Sequence, residues 1–230
     1  MAGAEVAEAV PGPSAAAPEI PDDHWALAAL MTEAGARPVD DNGVLVAEVA
    51  GLEVARVVDG TDGPVIDVGV GQADRELNQM IHRDADPVSD LRRVIAAVNE
   101  NRLRHDHHPL QRLGRERWLR SMLLDDPTLV GALDLAPLVP LRSRAGLLDP
   151  VPSAAAGSTV DGRPLVAVTM VGIDLDLLCE AADYRHRHDP EAELVIAMPE
   201  RDLALSSVGI ERLTDARTQA LDGPWPTIGR

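Results

Sequence analysis

The chain contains no phenylalanine, and its aromatic residues are one tyrosine, Tyr184, and three tryptophans, Trp25, Trp118 and Trp225. Any core it builds must therefore be aliphatic, assembled from Val, Leu, Ile and Ala. A row of rings for stacking single-stranded bases is not expected from so few aromatics. With 230 residues, 45% of them apolar and 26% charged, the chain has room for one ordinary domain or two small ones, and wholesale disorder is not expected.

All 21 basic residues are arginine. A chain without lysine cannot form a Schiff base, cannot supply the P-loop ammonium and cannot supply the strand-three lysine of a protein kinase. Arginine in place of lysine, with abundant Ala, Val, Asp and Gly, is also what a GC-rich genome produces. The net charge of −17 sets the whole protein against polyphosphates and anionic lipid, so nucleic acid is disfavoured as a partner and a membrane is not expected. The charge is uneven, however. Residues 83–144 hold eleven arginines against nine acids, while the rest holds ten against 29. The middle is thus the one place for an anionic partner, with a solvated helix face of intrahelical pairs as the plain alternative.

Cys179 stands alone, which removes intramolecular disulfides and cysteine-based zinc sites. Glu5 and Glu8 occupy the place where a signal peptide carries positive charge, and no apolar run approaches the ~18 residues of a membrane span, so a cytoplasmic location is expected.

Residues 1–20, with Pro11, Pro13 and Pro18 among Ala, Glu, Gly and Ser, read as a flexible tail. Asp22 or Asp23 can cap a helix through Trp25, Leu27, Leu30 and Met31 that ends at Gly35. Between Val44 and Val70, three apolar runs broken at Ala50-Gly51 and at Gly60–Pro64 predict a three-stranded antiparallel meander. Apolar spacing from Ala73 to Leu124 predicts three helices broken near Pro87 and Pro109. Beyond Pro127, strands are expected at 133–141, around 150–155 and at Pro164–Val171, then a helix from Asp174 to about Arg187, a strand at Val195–Met198 and a helix at Leu203–Leu213. Strand, crossover helix and strand in that order make a parallel βαβ unit. The fold class is therefore α/β (α+β): an antiparallel meander with helices over 21–125, a mixed sheet flanked by helices over 126–221, and an irregular end at 222–230.

Candidate sites compete with plain readings. Gly69-Val70-Gly71 sits between strand and helix, where a dinucleotide fingerprint begins, but Asp74 holds the position of its third glycine. His105, His107 and His108 with Asp106, and His186 and His188 with Asp189, are side chains that can ligate a divalent metal. The second group can equally serve as cations at a helix C-terminus. No Gly-x-Ser-x-Gly elbow exists, and Cys179, in mid-helix, is expected to be a buried small residue.

From about Arg115 to Pro199 the chain holds Glu116 in a helix, Asp149 ahead of a hairpin, the turn Asp161-Gly162-Arg163, the strand Pro164–Gly172, the helix bearing Glu180-Ala-Ala-Asp-Tyr184 and the strand Leu194–Met198. This order resembles the PD-(D/E)xK, restriction-endonuclease-like fold. The resemblance implies that Asp149 stands for the first metal-holding carboxylate and Tyr184 for the tyrosine of the following helix. Val168-Thr169-Met170 then occupies the place of the Glu-x-Lys, and Glu180 replaces a glutamine. Phosphodiester hydrolysis needs converging carboxylates to hold Mg²⁺ and a base or cation to orient water. Asp174 and Asp176 could supply a displaced carboxylate or could simply cap the helix.

Three functions follow as expectations. The first is a non-catalytic binding or assembly module for a protein partner or a second copy, with no cofactor. The second is a nuclease that uses Mg²⁺ through Glu116, Asp149 and Asp174, with Tyr184 nearby. The third is a nucleic-acid binder acting through Arg92, Arg93, Arg104, Arg112, Arg115, Arg117 and Arg120.

Overall fold

The computed structural model describes residues 18–81, 86–103, 108–144, 146–172, 175–203 and 215–223. Two short helices, α1 (Asp22–Trp25) and α2 (Ala28–Ala34), replace the single expected one, and Gly35 ends α2 with φ 99°. Asp22 and Asp23 fall in the first turn of α1, and Pro21 takes the cap position. Ile20 is already buried in the core, one residue ahead of the point where composition places the start of order.

The meander has four strands, β1 (Arg37–Asp40), β2 (Leu45–Val49), β3 (Leu52–Gly60) and β4 (Gly63–Val68), each antiparallel to the last. β1 escapes a sequence reading because it is short and carries Pro38, which a sheet tolerates only on an edge. Helices α3 (Gly71–Ile81), α4 (Pro87–Arg102) and α5 (Arg115–Asp125) follow. Asp86 caps α4 by accepting from the Ser89 N–H. Leu91, Val94, Ile95 and Val98, spaced by three and four, lay α4 on the apolar face of the first sheet beside Met31 of α2.

The second sheet runs β5 (Ala132–Pro137), β6 (Ser153–Thr159), β7 (Pro164–Thr169), β8 (Glu193–Pro199) and β9 (Arg217–Leu221) in chain order. β5, β6 and β7 are antiparallel, whereas β7, β8 and β9 are parallel, and α6 (Leu175–His188) makes the expected crossover from β7 to β8. β9, with the sequence Arg-Thr-Gln-Ala-Leu, has no strand signature; parallel pairing to β8 supplies what propensity does not. Residues 200–203 begin a helix, and most of the expected Leu203–Leu213 segment lies outside the described residues.

The central strands of this sheet are covered on both faces. Val166, Val168 and Met170 with Leu194, Ile196 and Met198 meet Leu178, Ala181 and Tyr184 of α6. Leu165 and Ala167 with Val195 and Ala197 meet Trp118, Leu119 and Leu123 of α5. Burial on both faces is why these strands read as continuous apolar runs rather than alternating ones.

Helix α5 is shared between the two sheets. Its opposite face presents Arg117 and Arg120 to Glu48 of β2, at 2.8 and 2.5 Å, with all three side chains almost fully buried. Glu48 lies directly across from Glu53 of β3, two buried carboxylates side by side. Like charges so placed repel, and each is answered by arginine. Glu53 takes Arg56 at 2.7 Å and Arg75 at 3.1 Å. Burial pushes the Asp41 and Glu48 carboxyls up, but the neighbouring arginines win and hold both below the ordinary carboxylate range.

A second lock joins the same surfaces. The β2–β3 turn is two residues long, with Ala50 at φ 47° and Gly51 at φ 72°, as a tight hairpin turn requires. Gly51 sits so close to α5 that an added Cβ would fall 2.2 Å from the Arg117 carbonyl carbon. Arg102, at the end of α4, donates to the carbonyl of Ala50 at 3.0 Å and to those of Leu110 and Gly114, while its guanidinium lies 4.1 Å over the Trp118 ring. Burial lowers its affinity for the proton, to a pKa of about 9.

Gly51→Ala combines a left-handed backbone with backbone overlap, and the expected loss is about 3 kcal/mol or more. For a chain of this size that lowers the melting temperature by roughly 6–12 °C. Gly162→Ala, where φ is 78° but the surrounding space is open, loses only about 1–2 kcal/mol. Thermal unfolding of both variants checks the difference. Glu48→Gln strands Arg120, leaves Arg117 with Asp41 alone, and should cost about 3–5 kcal/mol. Glu33→Gln breaks only the exposed pair with Arg92 and should cost under about 1 kcal/mol in the same measurement.

Candidate functional site

Val168-Thr169-Met170, in and just after β7, are the positions where the resemblance to the restriction-endonuclease-like fold would put a Glu-x-Lys. Val168 and Met170 point into the core against α6 and are 0% and 1% exposed. Thr169 faces the other way, and its hydroxyl lies 2.7 Å from the Glu116 carbonyl oxygen and 3.0 Å from that of Ser153. That hydroxyl ties α5, β6 and β7 together and is fully buried.

Among the described residues the remaining candidate carboxylates form no group of three that could hold a metal. Glu116 is buried, and desolvation pushes its carboxyl up to about 6 against the pull of Arg115 and Arg144. Asp149 accepts from the Gly146 N–H at 3.0 Å and closes the turn ahead of β6. Asp174 lies outside the described residues. Tyr184 is buried; its hydroxyl donates to the Pro152 carbonyl and accepts from the Leu141 N–H, both at 3.2 Å. It holds the β5–β6 connection to α6. Glu180 pairs with Arg142 at 2.6 Å. Among the described residues no three His, Cys, Asp or Glu side chains gather within reach of one ion. The residues described therefore do not fit a magnesium centre.

The histidines are dispersed as well. His105 and His107 lie outside the described residues, and the ring of His108 accepts from the Leu110 N–H to start the 3₁₀ turn Pro109–Arg112. His186 and His188 are exposed in the last turn of α6, beside Arg185 and Arg187, where cations suit the helix dipole. Cys179 is exposed, contrary to the expectation of burial: α6 buries Leu178, Ala181 and Tyr184, and position 179 is rotated off that stripe.

The arginine stripe comes apart in three dimensions. Arg117 and Arg120 are consumed by Glu48 and Asp41 inside the fold, which removes them from any nucleic-acid face. Arg92 pairs with Glu33, and Arg93 with Asp90 and the Asn78 side chain. Arg112 is exposed, Arg115 is half-buried, and Arg104 lies outside the described residues.

Gly69 and Gly71 both have positive φ, at 147° and 78°, yet they build no phosphate cradle. The strand before them is antiparallel, the Asp74 carboxylate already accepts from the Val70 N–H at 2.7 Å, and a Cβ on Gly69 would meet the Arg75 backbone nitrogen at 2.7 Å.

Two concave regions formed by tertiary packing are candidates in their place. A groove of about 560 Å³ runs beside β4, lined by Val65 to Val68, by Glu76, Asn78, Gln79 and Met80 of α3, and by Pro87 and Asp90 of α4. A polar cleft of about 380 Å³ opens between the first sheet and the segment following β5, with Asp41, Asn42, Glu53, Arg56, Arg75 and Arg144 in its walls. Neither was found from sequence. The one available signal was Glu48 and Glu53, acids set among apolar strand residues on either side of a tight turn, which require buried cations from elsewhere.

No family model matches the chain, and no curated protein matches it. Among solved structures it is similar to EndoMS in apo form, with a TM-score of 0.32 and 12% identity over 46% of this chain and 46% of that one. The chain thus spans about half the length of that structure.

Glu116 should reveal its burial through pH. Its carboxyl has a higher proton affinity folded than unfolded, so ionisation opposes folding above about pH 6 and stops doing so as pH falls below the ordinary range near 4.5. Glu116→Gln is expected to raise stability by about 1–2 kcal/mol at pH 7.5, with the gain vanishing near pH 4.5. Asp41 and Glu48 act in the opposite sense, and the stability they supply is lost only as pH falls through and below the carboxylate range. Urea unfolding of both proteins at several pH values measures the difference.

Proposed function

We propose that the protein is a non-catalytic binding module that takes an extended, apolar and basic segment of a protein partner along the edge of β4. The observation that carries this reading is the coincidence of an edge strand, a groove and exposed apolar side chains. Among the described residues β4 pairs only with β3, so its other side offers backbone donors and acceptors for an added strand. Pro64 removes one donor near the start and leaves Val65 to Val68 for pairing.

The walls fit such a segment. Val65, Leu77, Met80 and Ile81 are exposed to 47%, 53%, 79% and 64%, and Val65 and Met80 both line the groove. An unburied apolar set of this kind, beside an unpaired strand, marks an interaction site. Asp67, Glu76 and Asp90 line the groove; Asp67 pairs with Arg75 and Asp90 with Arg93, which leaves Glu76 as the acid without an ion pair among the described residues, and its complement on the partner is an arginine or lysine. A second copy offering its own β4 would bring the same lining, with Glu76 and no cation to meet it, which argues against self-pairing.

The C-terminal half adds to the non-catalytic reading. Its order of α5, three antiparallel strands, α6 and a parallel strand supports kinship with the restriction-endonuclease-like fold. The buried Val168 and Met170 in the metal-holding positions support a relative that does not cut.

Titrating isotope-labelled protein with an extended peptide of alternating valine and arginine tests the proposal by NMR. Amide shifts are expected over residues 63–68 and 71–81, and Val65→Asp with Met80→Asp should weaken binding at least tenfold while the remaining spectrum stays unchanged. Shifts confined to other surfaces, or none at millimolar peptide, would overturn the groove as the site. Cleavage of branched or mismatched DNA with Mg²⁺ or Mn²⁺, lost in Asp149→Ala, would overturn the non-catalytic reading.

A further inference from the structure

The polar cleft between the two halves has an imbalance that the fold itself does not resolve. Its ion pairs form one connected set: Arg117 and Arg120 on Glu48, Arg117 and Arg144 on Asp41, Arg144, Arg75 and Arg56 on Glu53, and Arg75 on Asp67. Five guanidinium groups thus face four carboxylates. A surplus charge taken out of water is costly unless something compensates it.

Arg144 is the most loosely paired of the five. Arg117 and Arg120 hold Glu48 at 2.8 and 2.5 Å, and Arg56 and Arg75 hold Glu53 at 2.7 and 3.1 Å. Arg144, with 11% of its side chain exposed, reaches Asp41 only at 3.4 Å and Glu53 only at 3.9 Å. Its Nε has no hydrogen-bond partner among the described residues, and neither does Nδ2 of Asn42; Nη2 of Arg117 and Nε and Nη1 of Arg120 are buried without one as well, but of these residues only Asn42 and Arg144 line the cleft. Both residues line the cleft of about 380 Å³, and Gln72 and Ser143 add polar groups to its wall.

We infer that this cleft binds a small molecule through a single carboxylate, held between the Arg144 guanidinium and the Asn42 amide. One negative charge matches the one unbalanced cation. A planar carboxylate fits the fork of an arginine, and Asn42 supplies a second donor. The carboxylates of Asp41 and Glu53 in the same wall disfavour a more highly charged guest such as inorganic phosphate. The cleft lies between the first sheet and the segment leading to β6, so an occupant contacts both halves of the chain.

The probes are acetate, propionate and benzoate, compared with inorganic phosphate and chloride at matched low ionic strength. Binding to the folded state alone raises the melting temperature in a saturable way. The expected result is saturable stabilisation by at least one monocarboxylate, with a shift of the Asn42 side-chain amide resonances. Asn42→Asp keeps a residue type that tolerates the left-handed backbone at φ 56°, removes the donor and adds a negative charge. It should weaken carboxylate binding at least tenfold without changing the unliganded spectrum beyond its neighbours. Arg144→Gln should do the same. Equal stabilisation of wild type and Asn42→Asp, tighter binding of phosphate than of any carboxylate, or an effect reproduced by chloride would each overturn the inference.

Discussion

The structure depends on what happens to Glu48. It sits buried on β2, opposite a second buried acid, Glu53, and two arginines from α5 meet it there. Neither sheet supplies this compensation alone. The N-terminal meander brings the carboxylates, and α5, which is packed by Trp118, Leu119 and Leu123 onto the second sheet, brings the cations. The two halves are therefore joined by a charge requirement as well as by contact. A buried ion pair adds little net stability over a well-packed apolar pair, but losing one partner is severe. The arrangement thus fixes where the halves meet.

The exclusive use of arginine suits this joint. A guanidinium offers five donors in a planar fork and can serve two carboxylates, as Arg117 does with Asp41 and Glu48. Arg102 shows the same property in another form, answering three carbonyls from one side chain while its face rests on Trp118. Gly51 completes the joint because only a residue without a Cβ lets the hairpin turn approach the α5 backbone so closely.

In the C-terminal half, residues at which catalysis was expected serve the architecture. Val168 and Met170 fill core volume, the Thr169 hydroxyl fastens three elements, Asp149 closes a turn and Tyr184 pins a loop. Of the described candidates for phosphodiester chemistry, Glu116 alone keeps a carboxyl without such a structural role, buried and pushed up to about 6 by desolvation.

Local pattern determined the element types and most of their order. Apolar spacing in α4, the Ala50-Gly51 turn, the β7–α6–β8 crossover and the aliphatic character of the core follow from nearest-neighbour periodicity, which a single sequence carries in full. The short edge strand β1 and the polar β9 did not follow, because pairing to β2 and β8, rather than propensity, makes them strands. The fate of the charged side chains was decided only by the tertiary structure. Arg117 and Arg120 have the spacing of a solvent-facing or nucleic-acid-facing stripe, and nothing within α5 reveals that Glu48, about seventy residues earlier, waits across from them. Charge compensation acts between segments distant in sequence. The chain's letters show which groups need a partner, and only the fold supplies it.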